Sequence, residues 1–113
     1  MPCLFCKIIN REIPSSIVYE DDRVLAFTDI NPQAPTHILL VPKRHVETLN
    51  DLAPGDDAIV GELVRRAAAI ADERGIAAGG YRVVFNTNRD AGQTVFHIHL
   101  HLIGGRSMTW PPG

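Results

Sequence analysis

The segment His97-Ile98-His99-Leu100-His101-Leu102-Ile103 alternates between imidazole and hydrocarbon through its first six positions. Successive side chains of a β-strand point to opposite faces. A strand here therefore carries three imidazoles on one face and Ile98, Leu100 and Leu102 on the other. The chain has five histidines, so most of them are gathered on this one surface. A polar row so concentrated points to chemistry, whereas a lone histidine reads as a hydrogen-bonded structural residue.

The remaining elements follow from composition along the chain. Ile17 to Tyr19 and Val24 to Phe27 are predicted strands joined through Glu20-Asp21-Asp22-Arg23 as a hairpin. Asn31-Pro32-Gln33-Ala34-Pro35 is a loop, because two prolines interrupt any ladder or helix. His37 to Val41 is a third strand closed by Pro42. From Pro54 to Arg74 the apolar residues Ile59, Val60, Leu63, Val64, Ala67, Ala68 and Ala71 recur at three and four, which predicts one long helix with a single buried stripe. Pro54 suits its first turn, Asp56 and Asp57 the positive end of its dipole, and Gly75 a left-handed stop. After the Gly79-Gly80 turn, Tyr81 to Asn86 and Val95 to Ile103 are the fourth and fifth strands, separated by a polar loop, Thr87 to Gln93. Pro2 to Arg11 is a short helix or turn, and Ser107 to Gly113 a tail. The fold class is α+β: a five-stranded, mostly antiparallel sheet, covered on one face by one long helix, with a short N-terminal helix.

With 113 residues, 45% of them hydrophobic, the chain has material for one core, so 1–113 is read as a single domain. Its formal charge of -2, from 11 basic and 13 acidic residues, offers no basic stripe for a nucleic-acid backbone. No apolar run has the length to span a bilayer, and the N-terminal residues lack the charged and apolar regions of a signal peptide. The reading is a cytoplasmic protein that takes a small ligand and binds neither nucleic acid nor membrane. Cys3 and Cys6, spaced C-x-x-C, read as thiols or as half a metal site, not as a disulfide framework.

Two chemistries fit the histidine face. Imidazoles can hold a metal such as zinc with an open position for water. Alternatively, the middle imidazole attacks an electrophile, since an unshifted histidine is largely neutral and nucleophilic at cellular pH. Ala91-Gly92-Gln93-Thr94, just before the strand, favours the second: a glycine permits close approach, and amide and hydroxyl donors suit phosphoryl oxygens.

The pattern His-φ-His-φ-His-φ-φ, with φ hydrophobic, resembles the signature of the histidine triad family. The similarity extends over Phe5-Cys6-Lys7-Ile8-Ile9, Ile13-Pro14-Ser15, Glu20-Asp21-Asp22, Ala26-Phe27, Asp29-Ile30, Pro32 to His37, Val41-Pro42-Lys43, Gly92-Gln93, and the ending Leu102 to Arg106 with Trp110-Pro111-Pro112-Gly113. These stretches resemble the Hint branch of nucleotide-binding phosphoramidases.

The resemblance implies hydrolysis of purine nucleoside phosphoramidates, such as AMP joined to an amine, and of aminoacyl adenylates. His99 is the implied nucleophile at the α-phosphorus, through a nucleotidyl-histidine intermediate; His101 would hold a phosphate oxygen, and His37 and His97 support the imidazole network. Asp29 is implied to accept from the ribose hydroxyls, with Phe27 and Ile30 as apolar walls to the base. The residue type also suits a turn before Asn31-Pro32. Asn86, Gln93 and Thr94 match phosphate-side positions, Thr94 standing where Hint relatives commonly carry serine. No cofactor is implied for catalysis. A structural zinc on Cys3, Cys6, His45 and His97 is implied by zinc-binding members of the wider family, against free thiols. The resemblance further implies a homodimer whose tail brings Trp110 near the partner's site, against a frayed end. The alternatives are a dinucleoside polyphosphate hydrolase or nucleotidyl transferase of another histidine-triad branch, and a non-catalytic nucleotide-binding adaptor.

Overall fold

The computed structural model describes residues 3–113. Met1 and Pro2, the latter being the first residue of the expected N-terminal helix or turn, lie outside the described residues. Two strands form the centre of the molecule: β2 (Val24–Thr28) and β3 (Thr36–Pro42), the latter buried at every position. Their residues are almost continuously apolar because both faces of the sheet are covered there. Val24, Ala26, Ile38 and Leu40 pack with Leu63, Ala67, Ile70 and Ala71 of helix α2 (Asp57–Glu73). The alternate residues Leu25, Phe27, Leu39 and Val41 pack with Phe5 and Ile8 of helix α1 (Leu4–Ile9). The expectation of a sheet covered on one face is corrected here. The six-residue α1 is short, but two aromatic or branched side chains on one of its turns are enough to close part of the second face.

The sheet has five strands in the order β1-β2-β3-β5-β4, where β1 is Ile17–Glu20, β4 Tyr81–Val84 and β5 Leu100–Gly104. Every pairing is antiparallel. β5 lies between β3 and β4, with Leu40 opposite Leu100 and Leu39 opposite His101. Its Leu100 and Leu102 enter the α2 core, as the alternation predicts. α2 stops where expected, with Arg74 capping and Gly75 at a φ of 74°, in the left-handed region open to glycine.

Among the boundaries that differ from the sequence reading, three bear on the site. Pro54–Asp56 forms a 3-10 turn, and the α-helix begins at Asp57; the Asp56 carboxylate accepts from the Ala53 amide at 2.8 Å. The fourth strand ends at Val84 rather than Asn86, and the loop from Thr87 to Gln93 contains a single helical turn, α3 (Asn88–Ala91). Most importantly, the fifth strand begins at Leu100, not Val95. The last pair of the ladder is Leu40 opposite Leu100. β3 runs on to Pro42, but Pro42 has no amide to donate and its carbonyl is taken by the His97 side chain, while the Ile98 amide turns to the Val46 carbonyl. His97 and His99 stand in the approach to the strand, which bends over Val95 to His97.

Candidate active site

That approach is pinned by the chain that follows β3. The Ile98 amide donates to the Val46 carbonyl at 2.7 Å, and His97 Nε2 donates to the Pro42 carbonyl at 2.8 Å. The three imidazoles still share one side although only His101 is in the ladder. Phe5 meets the His99 ring edge-on at 4.9 Å and the His97 ring at 6.0 Å, and the His99 and His101 rings are 4.9 Å apart.

Backbone groups assign the imidazole protons. A carbonyl oxygen can only accept, so the 2.8 Å contact between His99 Nδ1 and the His97 carbonyl places the proton on Nδ1. The Nε2 of neutral His99 then carries the lone pair. A backbone amide can only donate: Gln33 N–H donates to His37 Nδ1 at 3.0 Å. His37 Nε2–H therefore donates to His101 Nδ1, 2.9 Å away, which leaves the His101 proton on Nε2. The Asp29 carboxylate lies 3.4 Å from His37 Nε2. The row thus presents a nucleophilic nitrogen on His99 and, next to it, a hydrogen-bond donor on His101.

Burial sets the charge state. His37, His97 and His99 are all held below the ordinary histidine value, chiefly because the enclosed site penalises the imidazolium. His101 is pushed down to about 4 by the same burial, reinforced by His99 and His37. All four are neutral at pH 7.

His99 and His101 open onto a cavity of about 360 Å³ whose walls include Phe27, Asp29, Ile30 and Thr94. Phe27 is buried and stacks edge-on against Phe5 at 5.5 Å. Ile30 stands on the rim, 99% exposed. Asp29 serves the turn as well as the cavity: one carboxylate oxygen accepts from the Asn31 amide at 2.8 Å. Two of the nominated phosphate-side residues are not on the walls. Asn86 is half-buried just beyond β4. The Gln93 amide is engaged within the fold, donating to the Glu47 and Val95 carbonyls at 2.8 and 3.1 Å and accepting from the Asn88 amide at 2.8 Å. The sequence reading assigned no role to Gln33, whose amide orients His37, or to Phe5, which braces His99. The first acts through its backbone, which side-chain identity does not reveal.

A second constellation lies behind His97. Cys3 Sγ, Cys6 Sγ, His45 Nδ1 and His97 Nδ1 all lie within 4.8 Å of one another. Cys3 and Cys6 are 3.5 and 3.6 Å from His97 Nδ1, Cys6 is 3.4 Å from His45 Nδ1, and the two nitrogens are 3.1 Å apart. Sulfur and nitrogen ligands at about 2.3 and 2.0 Å from zinc stand roughly 3.3 to 3.8 Å from each other at tetrahedral corners. The four donors fit such an ion, and His97 has the right tautomer, its Nε2–H being held by Pro42. Both thiols are unbridged; burial and the neighbouring Cys3 push the Cys6 thiol up. Asp29, His37 and His101 also converge within 4.8 Å, but the hydrogen bonds above account for that group.

Comparison with known proteins agrees with this geometry. The HIT domain family matches residues 10–108. The chain is 54% identical over 105 residues to the purine nucleoside phosphoramidase of Escherichia coli, covering 93% of this chain and 88% of the relative. It is 52% identical over 110 residues to an uncharacterized HIT-like protein of Synechocystis, covering 97% and 96%. Among solved structures, a HIT family hydrolase from Legionella pneumophila superposes with a TM-score of 0.98 at 54% identity, covering 99% of this chain and all of that one. The histidine row, the sheet that carries it and these similarities together establish that the chain belongs to the HIT domain family.

Proposed function

We propose that this chain is a nucleotide hydrolase of the phosphoramidase type, cleaving the P–N bond of AMP joined to an amine, and acting on aminoacyl adenylates, through a nucleotidyl-His99 intermediate. The observation that carries this reading is the His99 tautomer: with Nδ1–H donated to the His97 carbonyl, the Nε2 lone pair is free to attack phosphorus. Attack forms the Nε2–P bond and breaks the P–N bond, whose electron pair leaves on the amine as it takes up a proton from solvent water. The resulting imidazolium keeps its Nδ1–H on the His97 carbonyl. Water then attacks the same phosphorus, expels His99 with its Nε2 lone pair restored and releases AMP, the water's proton returning to solvent. His101 Nε2–H donates to a phosphoryl oxygen on which charge develops, in a site that needs no reorganisation to do so. No step draws on a cofactor. The 54% identity to a protein named for purine nucleoside phosphoramidase activity supports the substrate class.

In this scheme Asp29 accepts from the ribose hydroxyls, and Phe27 and Ile30 flank the base. Thr94 borders the phosphate side, and Gln93 holds the loop that presents it. Zinc on Cys3, Cys6, His45 and His97 serves as a clamp. It fastens the segment before α1 to His97, the residue whose carbonyl holds the nucleophile.

The reading extends to a homodimer. β4 is an edge strand with Tyr81 and Val83 partly exposed, and Arg82 donates to the Thr109 carbonyl at 3.0 Å, holding the tail alongside that edge. Trp110, 81% exposed, is then available to a partner's site. Mixing Trp110→Ala with His99→Ala chains tests this, since a shared site restores activity in the mixed dimer only.

A fluorogenic adenosine phosphoramidate assayed beside a diadenosine polyphosphate tests the whole reading. Rapid turnover of the first, lost in His99→Ala, is the expected result. Folded protein that binds AMP but turns over neither substrate overturns it in favour of an adaptor.

A further inference from the structure

Two cavities meet at the loop before the histidine row, and the phosphoramidase reading above, on which this inference rests, fills only one of them. The first, of about 360 Å³, has His99, His101 and Asp29 on its walls; the second, of about 590 Å³, has Cys3, His45, Glu47 and Phe96. Leu4, Thr94 and Val95 line both. A phosphoramidate has two halves joined at phosphorus. With the nucleoside in the first cavity, the amine half still needs a place. In-line displacement sets its direction, since the leaving nitrogen stands across phosphorus from the attacking His99 Nε2. His99 faces the first cavity and not the second, while Thr94, on the phosphate side, borders the two. The amine therefore departs past Thr94 towards the larger cavity.

Its walls offer two kinds of chemistry. Leu4 and Phe96 are 46% and 43% exposed, hydrocarbon that an apolar chain would take out of water. Glu47 is the carboxylate on these walls, and among the described residues none forms an ion pair with it. Its place is fixed by its neighbours on the chain. The Glu47 carbonyl accepts from Gln93 Nε2 at 2.8 Å, and the Val46 carbonyl before it accepts from the Ile98 amide at 2.7 Å. After it, the Thr48 hydroxyl accepts from the Asn50 amide at 3.1 Å and caps the 3-10 turn Leu49–Asp51. A carboxylate anchored beside hydrocarbon suits a ligand with an apolar body and a positive end.

We infer that this second cavity receives the leaving amine, with Leu4 and Phe96 against its carbon chain and Glu47 paired with a second cationic group at its far end. The favoured substrates are nucleoside phosphoramidates of amines that carry another ammonium or guanidinium group, ahead of those of plain alkylamines or of ammonia. Glu47 and Phe96 touch only the departing half. They set which amine is released and take no part in the chemistry at phosphorus.

The test is kcat/KM for AMP joined to ammonia, to hexylamine and, through one nitrogen, to hexamethylenediamine, measured on wild type, Glu47→Gln and Phe96→Ala. Ratios between conjugates compared across variants cancel the intrinsic reactivity of each leaving group. Glu47→Gln is expected to lower the diamine-to-hexylamine ratio about two- to fivefold, the range of an exposed ion pair, and added salt should lower it likewise in wild type. Phe96→Ala is expected to lower the hexylamine-to-ammonia ratio about five- to tenfold, through lost apolar contact. A diamine ratio unchanged by Glu47→Gln, or a hexylamine ratio unchanged by Phe96→Ala, overturns the inference, as does a variant that slows all three conjugates equally. A wild type that binds AMP but cleaves none of the three overturns the phosphoramidase reading beneath it.

Discussion

At the residue scale, the site works by backbone groups choosing which nitrogen of each imidazole keeps its proton. The His97 carbonyl does so for His99, and the Gln33 amide does so for His37 and, through it, for His101. Burial then keeps the rings neutral, and this has a consequence for pH. The proposed attack requires neutral His99, whose pKa lies below the ordinary 6.5 because the site is enclosed. The acid limb of kcat/KM, which reports the free enzyme, is therefore expected below pH 6.5; a limb at or above 6.5 contradicts it. Stability should follow a related window. The unfolded chain protonates His101 near 6.5, while the folded one resists until about 4. Between those values the unfolded state binds more protons, so stability falls as pH drops from 6.5 towards 4 and this contribution levels off below. Urea unfolding across that range should show the slope, and His101→Gln should reduce it.

At the element scale, the sheet is held from both sides, and α2 supplies the larger core. Leu63 is fully buried in it, so Leu63→Ala is expected to cost about 2 to 5 kcal/mol, read from the denaturant midpoint; a loss under about 1 kcal/mol would mean that α2 is not docked as described. Sequence pattern made α2 legible by its three-and-four apolar spacing, and β2 and β3 by short continuous apolar runs bounded by charged residues and prolines. It was less informative where pairing ends. His97 and His99 continue the alternation of β5, yet they lie outside the ladder because the Ile98 amide bonds to Val46 and the Pro42 carbonyl to the His97 side chain, partners distant in sequence. α3 is a single turn closed by the Gln93 side chain, too short to show a period. The histidine row announced itself by its spacing, whereas the backbone groups that set its tautomers became visible only in the fold.

At the scale of the whole molecule, the N-terminal segment, the bend after β3 and the approach to β5 meet at Cys3, Cys6, His45 and His97. A zinc ion held there would join three distant parts of the chain. Protein purified without chelator is expected to carry about one zinc per chain by elemental analysis. Stripping it should lower Tm by on the order of 10 °C or more, as expected for loss of a tightly held ligand in a domain of this size. Metal-free protein with an unchanged Tm would show that the thiols and imidazoles converge without a structural ion. The central claim, however, concerns a covalent bond at one nitrogen, and rapid-quench mass spectrometry tests it most directly. Mixed with an adenosine phosphoramidate and quenched within one turnover, wild type should carry a nucleotidyl group on the peptide containing His99, and His99→Ala should carry none. Turnover with no adduct on His99, or an equal adduct on the substituted chain, would contradict the account.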